Sequence, residues 1–475
     1  MGESIKKKAF TASLWRFGEV AGRQLISLLV TTIVARLVMP AQYGIVAMIM
    51  VFISISDVFI DSGFSTALIR DINRTRRDCS TVFYFNIVIS LICFCLIQLC
   101  APAIAIFYKM PELERVTRVV ALSVIISAFR SVQTTLLSAE LNFKKITNAN
   151  LVALVISGLV GIILAYKGFQ VWALVVQTLL NSAISTALMW LRSSWYPTLE
   201  FSKESFKRYF AFGSSLLVSA LIDSGYKNCY ALVIGKVFNS ANLAFYNRAN
   251  NFANTSSGVP TSIIESVTFP ALCKFQDDSE KLRNAYRRLI KVTAFVIFPL
   301  CLGLGGVAYP FINVLLTDRW IYAATLMQVL VFSMMWYPIH SLNLNLLKVC
   351  GKSGLFFRLE IIKKIVGVTI LCITIPFGLK IMCYGQILSS VLCLFINTYY
   401  TGKLINVTFW IQMLDLLPIL ILSIVMFIIV DIICSIIGNG FISLLTGIIV
   451  GIIVYSIGAV IFRFPELKEI KNLRK

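Results

Sequence analysis

The sequence is poor in charged residues and in histidine, and this excludes most soluble architectures. Only 14% of its 475 residues are charged and 58% are hydrophobic, whereas a soluble domain carries about 25% charged residues. The single histidine, His340, lies beside Pro338 in an apolar segment, where we expect it to be packed and hydrogen-bonded rather than a proton relay. Apolar runs of membrane-spanning length recur along the chain. The composition therefore predicts an all-α, polytopic membrane protein.

Motifs for nucleotide, metal and nucleophile chemistry are also absent. The sequence has no phosphate-binding glycine loop, no HExxH, no GxSxG, no DxD and no CxxC pair among its twelve cysteines. We therefore expect no enzymatic activity, no bound metal and no cofactor. The cysteines lie in or beside apolar segments, where we expect them to pack as reduced side chains.

Basic residues are abundant but unevenly distributed. The net charge is +21, and the basic residues concentrate in alternate loops, including residues 70–77, 192–208 and 274–288, and in the tail at 463–475. On a soluble protein this excess would suggest nucleic acid. In a membrane protein it marks the cytoplasmic face. The pattern predicts that both termini are cytoplasmic, which requires an even number of spans.

The apolar segments predict about fourteen transmembrane helices. The first has internal charges and no cleavage signal, so we interpret it as an uncleaved membrane helix. The predicted spans are 11–37, 43–69, 82–107, 116–138, 147–166, 170–191, 209–234, 243–271, 289–315, 321–347, 355–377, 380–401, 409–430 and 439–462.

The two halves of the chain resemble each other. Residues 35–44 match residues 235–244, about 200 residues later, and both segments join two long apolar spans through a polar turn. By the predicted sidedness these are parallel repeats, and transporters built in this way bind substrate between the halves. Chance similarity among apolar helices is the alternative.

Charged residues recur inside spans one, two, four, seven and eight. An ionised side chain at mid-membrane costs roughly 2.5–3.5 kcal/mol by insertion scales, so such residues usually line a polar path. The basic residues predicted to line a substrate cavity are Arg16, Arg23, Arg130, Lys227 and Arg248. The acidic residues predicted to act in coupling or pairing are Glu19, Asp57, Asp61, Asp223 and Glu265.

Structural pairing is the alternative for part of this set. Glu19 and Arg23 are four residues apart, as are Asp223 and Lys227, so each pair lies on one helix face and can form an ion pair. Arg16 can instead extend its side chain toward the membrane surface.

Four segments of the sequence carry a resemblance to a known family. In chain order they are Ala35–Gly44, Asp61–Ile69, Leu232–Lys236 and Ala244–Ala249. They resemble the Wzx-type polysaccharide transporters, in particular the branch that includes colanic acid exporters. The family belongs to a superfamily that also contains multidrug and toxin extrusion transporters and lipid II flippases. The chain departs from the family at Tyr230, where many relatives carry an acidic residue.

The resemblance and the repeat imply two six-helix lobes followed by two further helices. The predicted divisions are residues 1–200 with spans one to six, residues 201–402 with spans seven to twelve, and residues 403–475 with the last two spans and a basic tail. The resemblance also implies two partners in synthesis, a polysaccharide polymerase and glycosyltransferases.

The resemblance further implies a flippase of the bacterial inner membrane. Its substrate would be a polyprenyl-pyrophosphate-linked oligosaccharide for capsule, exopolysaccharide or O-antigen synthesis, moved by alternating access. Coupling to protons, to sodium or to the membrane potential is left open. Two other functions also remain: a cation-coupled multidrug exporter, disfavoured by the mainly cationic deep charges, and a membrane-embedded glycan polymerase, disfavoured by the short loops.

Overall fold

The described part of the chain is helical throughout. A computed structural model describes Gly22 and residues 24–61 and 63–467, and no strand occurs among them. These residues form two compact units, one extending to Ala244 and the other starting at Phe245. The predicted all-α fold class is confirmed.

The helices are long and are joined by short turns. Those of the first unit are α1 (Gln24–Leu37), α2 (Pro40–Asp61), α3 (Phe64–Arg70), α4 (Arg76–Tyr108), α5 (Glu112–Val120), α6 (Leu122–Ala139), α7 (Phe143–Tyr166), α8 (Val171–Arg192) and α9 (Lys203–Val237). Helix α10 (Ser240–Cys273) contains the boundary between the units. Those of the second unit are α11 (Ser279–Gly306), α12 (Ala308–Leu316), α13 (Ile321–Met334), α14 (Tyr337–Val349), α15 (Ser353–Thr374), α16 (Leu379–Ile405), α17 (Phe409–Ile437) and α18 (Phe441–Ile461).

Ten helical segments within the described residues are long and apolar enough to cross a membrane. Helices α9, α10 and α15 have comparable length but are not among them. Their sequences carry more polar and charged residues, such as Asp223 and Lys227 in α9. Residues 11–21 and Arg23 of the predicted first span lie outside the described residues. The count of fourteen spans therefore remains a prediction.

The first unit is built around helices α4, α6 and α8. Helix α6 packs against both α4 and α8, and α9 lies along α2, α3 and α4. An aromatic cluster fills the core near the predicted cytoplasmic ends, where the ring of Phe83 lies 5.8 Å from that of Trp195 and Phe64 lies 4.8 Å from Phe85. Edge-to-face contacts of this kind add to the burial of apolar area.

The second unit is built around α11, which packs against α13, α14 and α17, while α18 packs on α17. Trp320 is fully buried and Phe298 contacts Trp336 with ring centroids 5.2 Å apart. Helix α17 is mainly apolar apart from Gln412, Asp415 and Asp431, as expected for a helix in contact with lipid on one side and protein on the other.

Three helices begin earlier than the apolar runs predict because each has a capping residue. Thr75 forms a capping box with Asp78 at the start of α4, and Ser202 accepts a hydrogen bond from the Ser205 amide at the start of α9. Asp278 accepts from the amide of Lys281 at the start of α11. Hydrogen bonds from the side chain and backbone of Lys281 hold the pKa of Asp278 below its usual value.

The two matching segments of the sequence form the same local structure. Helix α1 ends at Leu37 and α2 begins at Pro40, while α9 ends at Val237 and α10 begins at Ser240. Both turns therefore occupy the same positions in the matched segments. The wider repeat and the three-part division of the chain remain predictions.

Candidate functional site

The predicted site residues fall into three groups. Arg16, Glu19 and Arg23 lie outside the described residues. Those in the first unit are Asp57 and Asp61 on α2, Arg130 on α6, and Asp223 and Lys227 on α9. Those in the second unit are Arg248 and Glu265 on α10.

Helix α6 presents a polar face that connects several helices of the first unit. The Ser127 hydroxyl donates to Oδ1 of Asp57 on α2 at 3.1 Å. The Asn86 amide of α4 donates to the Ser131 hydroxyl, also at 3.1 Å. Because Ser127, Arg130 and Ser131 are three and four residues apart, they share one side of the helix.

Arg130 is held by neutral side chains. Its Nη1 donates to the Ser185 hydroxyl on α8 at 3.0 Å, and Ser185 donates to Oδ1 of Asn150 on α7 at 2.7 Å. Ser185 is fully buried, whereas Arg130 is only half-buried. Within the described ranges Arg130 forms no ion pair closer than 4.0 Å. The guanidinium is thus oriented while much of its donor capacity stays available, since arginine has five N–H donors.

Asp57 lies close enough to Arg130 for their charges to attract each other. The Asp57 side chain is exposed and is oriented by Ser127. The structure therefore brings these two predicted residues together across α2 and α6. They form a cation and an anion that are each fixed by a hydroxyl and each accessible to solvent.

Lys227 and Asp223 form a loose pair on α9. Their charged atoms are 3.9 Å apart, and the side chains are 75% and 49% exposed, respectively. An exposed pair of this kind contributes little stability, so Lys227 remains able to meet a ligand. Asn228 beside it donates to the Ser54 hydroxyl at 2.9 Å and thereby fixes α9 against α2.

The second unit holds the remaining predicted residues in different surroundings. The Arg248 guanidinium lies 5.7 Å from the ring centroid of Trp320, within the range of a cation–π contact. Glu265 is half-buried, and its carboxylate interacts electrostatically with Lys348. His340 is hydrogen-bonded to Ser390 at 3.1 Å and Asn397 at 3.2 Å, as the sequence predicts.

Sequence reasoning missed the neutral partners of the charged residues. Asn150 and Ser185 lie in the fifth and sixth predicted spans, outside the five spans in which charged residues recur. A sequence signal exists, because an amide or hydroxyl inside an apolar span needs a partner. That signal does not identify which helix supplies the partner.

Sequence reasoning also missed an ion-pair cluster in the second unit. Arg287 of α11 donates to Asp415 of α17 through Nε and Nη2, both at 2.7 Å, and Lys291 lies 3.1 Å from the same carboxylate. In contrast to Arg130, these cations share an acidic partner. Their ion pairs with Asp415 link α11 to α17.

Metal and thiol chemistry have no assembled site in the part of the chain that the structure describes. No group of three or more His, Cys, Asp or Glu side chains there could hold a metal ion. The twelve cysteines all fall in this part and are free thiols, six of them buried.

Two solved transporters share this fold. Lipid II flippase MurJ in an inward closed conformation superposes with a TM-score of 0.74 at 14% identity, covering 94% of this chain and 97% of MurJ. An inward-facing MATE family multidrug resistance transporter of the MOP superfamily gives a TM-score of 0.61 at 20% identity, covering 80% and 95%. The described helices therefore have the fold of these two proteins.

The chain belongs to the polysaccharide biosynthesis protein family, whose sequence model matches residues 33–325. The teichuronic acid biosynthesis protein TuaB of Bacillus subtilis is 26% identical over 64% of this chain and 63% of its own length. The lipopolysaccharide biosynthesis protein WzxC of Escherichia coli is 24% identical over 67% of this chain and 65% of its own length. The chain thus spans slightly less than two thirds of the length of these two relatives.

Proposed function

We propose that this protein flips a polyprenyl-pyrophosphate-linked oligosaccharide across the bacterial inner membrane for surface polysaccharide synthesis. Membership of the polysaccharide biosynthesis family supports the pathway. Relatives named for teichuronic acid, lipopolysaccharide and succinoglycan support a surface glycan as the product. The fold shared with a lipid II flippase supports movement of a lipid-linked precursor rather than its chemical conversion.

Flipping needs a polar path because the substrate head is strongly hydrated. Each polar group stripped of water costs several kcal/mol in hydrocarbon, so a headgroup with many hydroxyls and a pyrophosphate crosses negligibly without assistance. A water-filled cavity removes most of that barrier. Arginine suits the pyrophosphate because its planar fork can bind two oxygens at once.

The state of Arg130 is the observation that carries the proposal. A membrane arginine neutralised by a carboxylate would be structural, as Arg287 is. Arg130 is instead aligned by the Ser185–Asn150 pair and stays partly exposed. We assign it to the pyrophosphate, together with Lys227 and with Arg16 and Arg23, which lie outside the described residues. Arg248 of the second unit is also assigned to substrate binding, with Glu19, Asp61 and Glu265 in pairing roles.

The membrane arrangement in this proposal has fourteen spans and two cytoplasmic termini. Helices α9, α10 and α15 are then spans whose polar faces are shielded from lipid. Two lobes of six helices, at residues 1–200 and 201–402, alternate in access to the two membrane faces. A polymerase and glycosyltransferases act beside the protein on the same lipid-linked unit.

The membrane potential is the simplest driving force for an anionic substrate. An inside-negative potential favours outward movement of negative charge by about 2.3 kcal/mol per charge per 100 mV. Antiport of protons or sodium through Asp57, Asp61 or Asp223 is the competing mechanism. Transport in proteoliposomes that responds to voltage but not to either ion gradient would eliminate antiport.

A charge reversal at Arg130 tests the function. Arg130→Glu should abolish export, and lipid-linked repeat units should accumulate in the inner leaflet, while the protein remains inserted. Arg115→Glu is the matched control because Arg115 is exposed and lies on α5, a helix that carries none of the predicted site residues. Full export by Arg130→Glu would refute the assignment of Arg130.

The position of the trapped precursor separates the alternatives. A glycan polymerase defect would leave single units on the outer face instead of the inner face. A multidrug exporter defect would change drug sensitivity and leave the lipid-linked pool unaltered. Either result would overturn the flippase proposal.

A further inference from the structure

A polar cavity lies in the second unit, and none of its lining residues is a predicted transport residue. Its volume is about 290 Å³, slightly below the roughly 300–1,000 Å³ of sites for drug-sized ligands. Its lining comes from the first turns of α11 and from the chain that follows α18. The lining residues are Asn284, Arg287, Arg288, Lys291, Pro465 and Glu466.

The chain after α18 folds back to form one wall of this cavity. Arg463 adopts a left-handed conformation with φ 50°, and the Phe464 amide bonds the Ala459 carbonyl at 3.1 Å, which closes the helix end. The Phe464 ring then packs 5.9 Å from that of Phe295 on α11. This contact places Glu466 against α11.

The α11 wall is cationic and fixed in place. Arg287 and Lys291 share the Asp415 carboxylate, which is only 7% exposed and sits behind them. Three basic side chains line the cavity, namely Arg287, Arg288 and Lys291. Lys291 has three donors and uses one on Asp415, so it can bind an anion without leaving its partner.

The wall formed by the chain after α18 carries a buried acidic side chain. Glu466 is only 4% exposed, yet its Oε2 has no hydrogen-bond partner among the described residues. Leaving a buried polar atom without a partner costs about 1–3 kcal/mol, and more for a charged group. A ligand that donates an N–H to Glu466 and offers oxygen atoms to Lys291 would satisfy both walls.

The depth of the cavity indicates a lipid headgroup. Helix α11 has no charged residue after Lys291, α17 has none between Asp415 and Asp431, and α18 has none at all. Helices α11 and α17 therefore change from polar to apolar at the level of the cavity, and α18 is free of charged residues up to the turn before the cavity. Trp410 is 72% exposed at the start of α17, as is typical of aromatic side chains at the membrane interface.

We propose that this cavity binds the phosphoethanolamine headgroup of a membrane phospholipid. The phosphate contacts Lys291 and the neighbouring arginines, and the primary ammonium donates to Glu466. Basic pockets between helices at this level suit lipid phosphates, and the acidic wall adds selectivity for an ammonium that carries N–H bonds. This site is independent of the transported substrate, and its test requires no transport.

Lipid binding to the purified full-length protein, measured by native mass spectrometry, tests the proposal. Phosphatidylethanolamine should bind at least fivefold more tightly than phosphatidylcholine, whose quaternary ammonium has no N–H to donate. Glu466→Gln should reduce this preference to less than twofold, and Lys291→Met should weaken both lipids. Glu280→Gln, an exposed change on the first turn of α11, should leave the preference intact.

Binding of other lipids and of a soluble headgroup gives the results that would contradict the proposal. Equal binding of phosphatidylethanolamine and phosphatidylcholine by the unmodified protein would overturn the proposal, even if the variants failed to fold. Tighter binding of phosphatidylglycerol would identify a purely anionic site, and tighter binding of undecaprenyl phosphate would assign the cavity to the transported lipid. Free phosphoethanolamine that competes fully at equal concentration would exclude a membrane lipid as the source.

Discussion

At the scale of single residues, the chain uses arginine in two distinct ways. Arg287 makes two hydrogen bonds of 2.7 Å to one carboxylate. Arg130 is aligned by a hydroxyl, with Asp57 near but not paired. Because a paired arginine has already met its counter-charge, the second arrangement is the one that can bind an anionic ligand and then release it.

Removal of the Ser185 hydroxyl should weaken transport without removing any charge. Ser185→Ala deletes a hydrogen bond worth about 1 kcal/mol, which corresponds to an export rate about fivefold lower if Arg130 loses its alignment. Ser157→Ala is the matched control, because Ser157 is equally buried but accepts from Asn181 instead. Equal export rates in the two variants would show that Ser185 does not position Arg130.

Loss of the Asp415 charge should destabilise the second unit. Asp415→Asn leaves Arg287 and Lys291 without their counter-charge, and hydrogen bonds to charged groups contribute about 1.5–3 kcal/mol. We expect the free energy of unfolding in detergent to fall by about that amount. Asp277→Asn, in the exposed loop before α11, should have no measurable effect. Similar free energies of unfolding for the two variants would show that the ion pairs of Asp415 do not stabilise the second unit.

Charged site residues are easier to identify from the sequence than the neutral residues that bond them. Arg130 and Asp57 are conspicuous because charges are rare in apolar spans. Ser185 and Asn150 are not conspicuous, since hydroxyls and amides are common in membrane helices and their cost is small when they bond their own backbone. Their role emerges only from the packing of α6 against α8 and of α8 against α7.

At the scale of helices, the apolar runs predict which helices exist but not where they start. Helices α4, α9 and α11 begin before their apolar runs. Their N-cap residues are Thr75, Ser202 and Asp278, respectively. The N-cap residues can be recognised in the sequence as Ser, Thr or Asp before a polar first turn. Hydropathy does not detect them, because it marks the apolar part of a helix and not the polar turns that precede it.

The start of α2 packs against the start of α10 through a glycine. A Cβ atom at Gly44 would lie 1.8 Å from the Ser240 carbonyl oxygen, which is backbone and cannot rotate away. Overpacking of this kind costs about 1–3 kcal/mol, and occasionally more. This close approach explains why the first matched segment ends in glycine, while the second segment has Ala244 at the same position.

Substitution of two helical glycines should therefore give opposite results. Gly44→Ala should lower the midpoint of thermal unfolding and the yield of folded protein. Gly225→Ala, in α9, meets no atom within 4 Å, and alanine is favoured over glycine in a helix by up to about 1 kcal/mol. It should leave the midpoint unchanged or raise it. An unchanged midpoint for Gly44→Ala would mean that α2 and α10 are not in contact at this point.

At the scale of the whole molecule, polarity is unequally distributed among helices of similar length. Helices α9, α10 and α15 do not meet the hydropathy of a membrane span, although they are at least as long as α18, which does. If they cross the membrane, protein or water must cover their polar faces. The sequence predicts all three as spans because their apolar runs are long enough, whereas the hydropathy of the described helices alone gives a count of ten.

Reporter fusions on either side of α15 decide whether such a helix crosses the membrane. The basic loop at Lys352 is predicted to be cytoplasmic and the turn at Gly378 periplasmic. A fluorescent protein fused after Lys352 should fluoresce, and alkaline phosphatase fused after Gly378 should be active.

Fusions after Asn142 and Lys167 are the control, because they flank α7, whose hydropathy meets that of a span. If both α15 fusions report the same side while the α7 pair reports opposite sides, α15 does not cross. The number of spans would then be odd, and the two termini could not both be cytoplasmic.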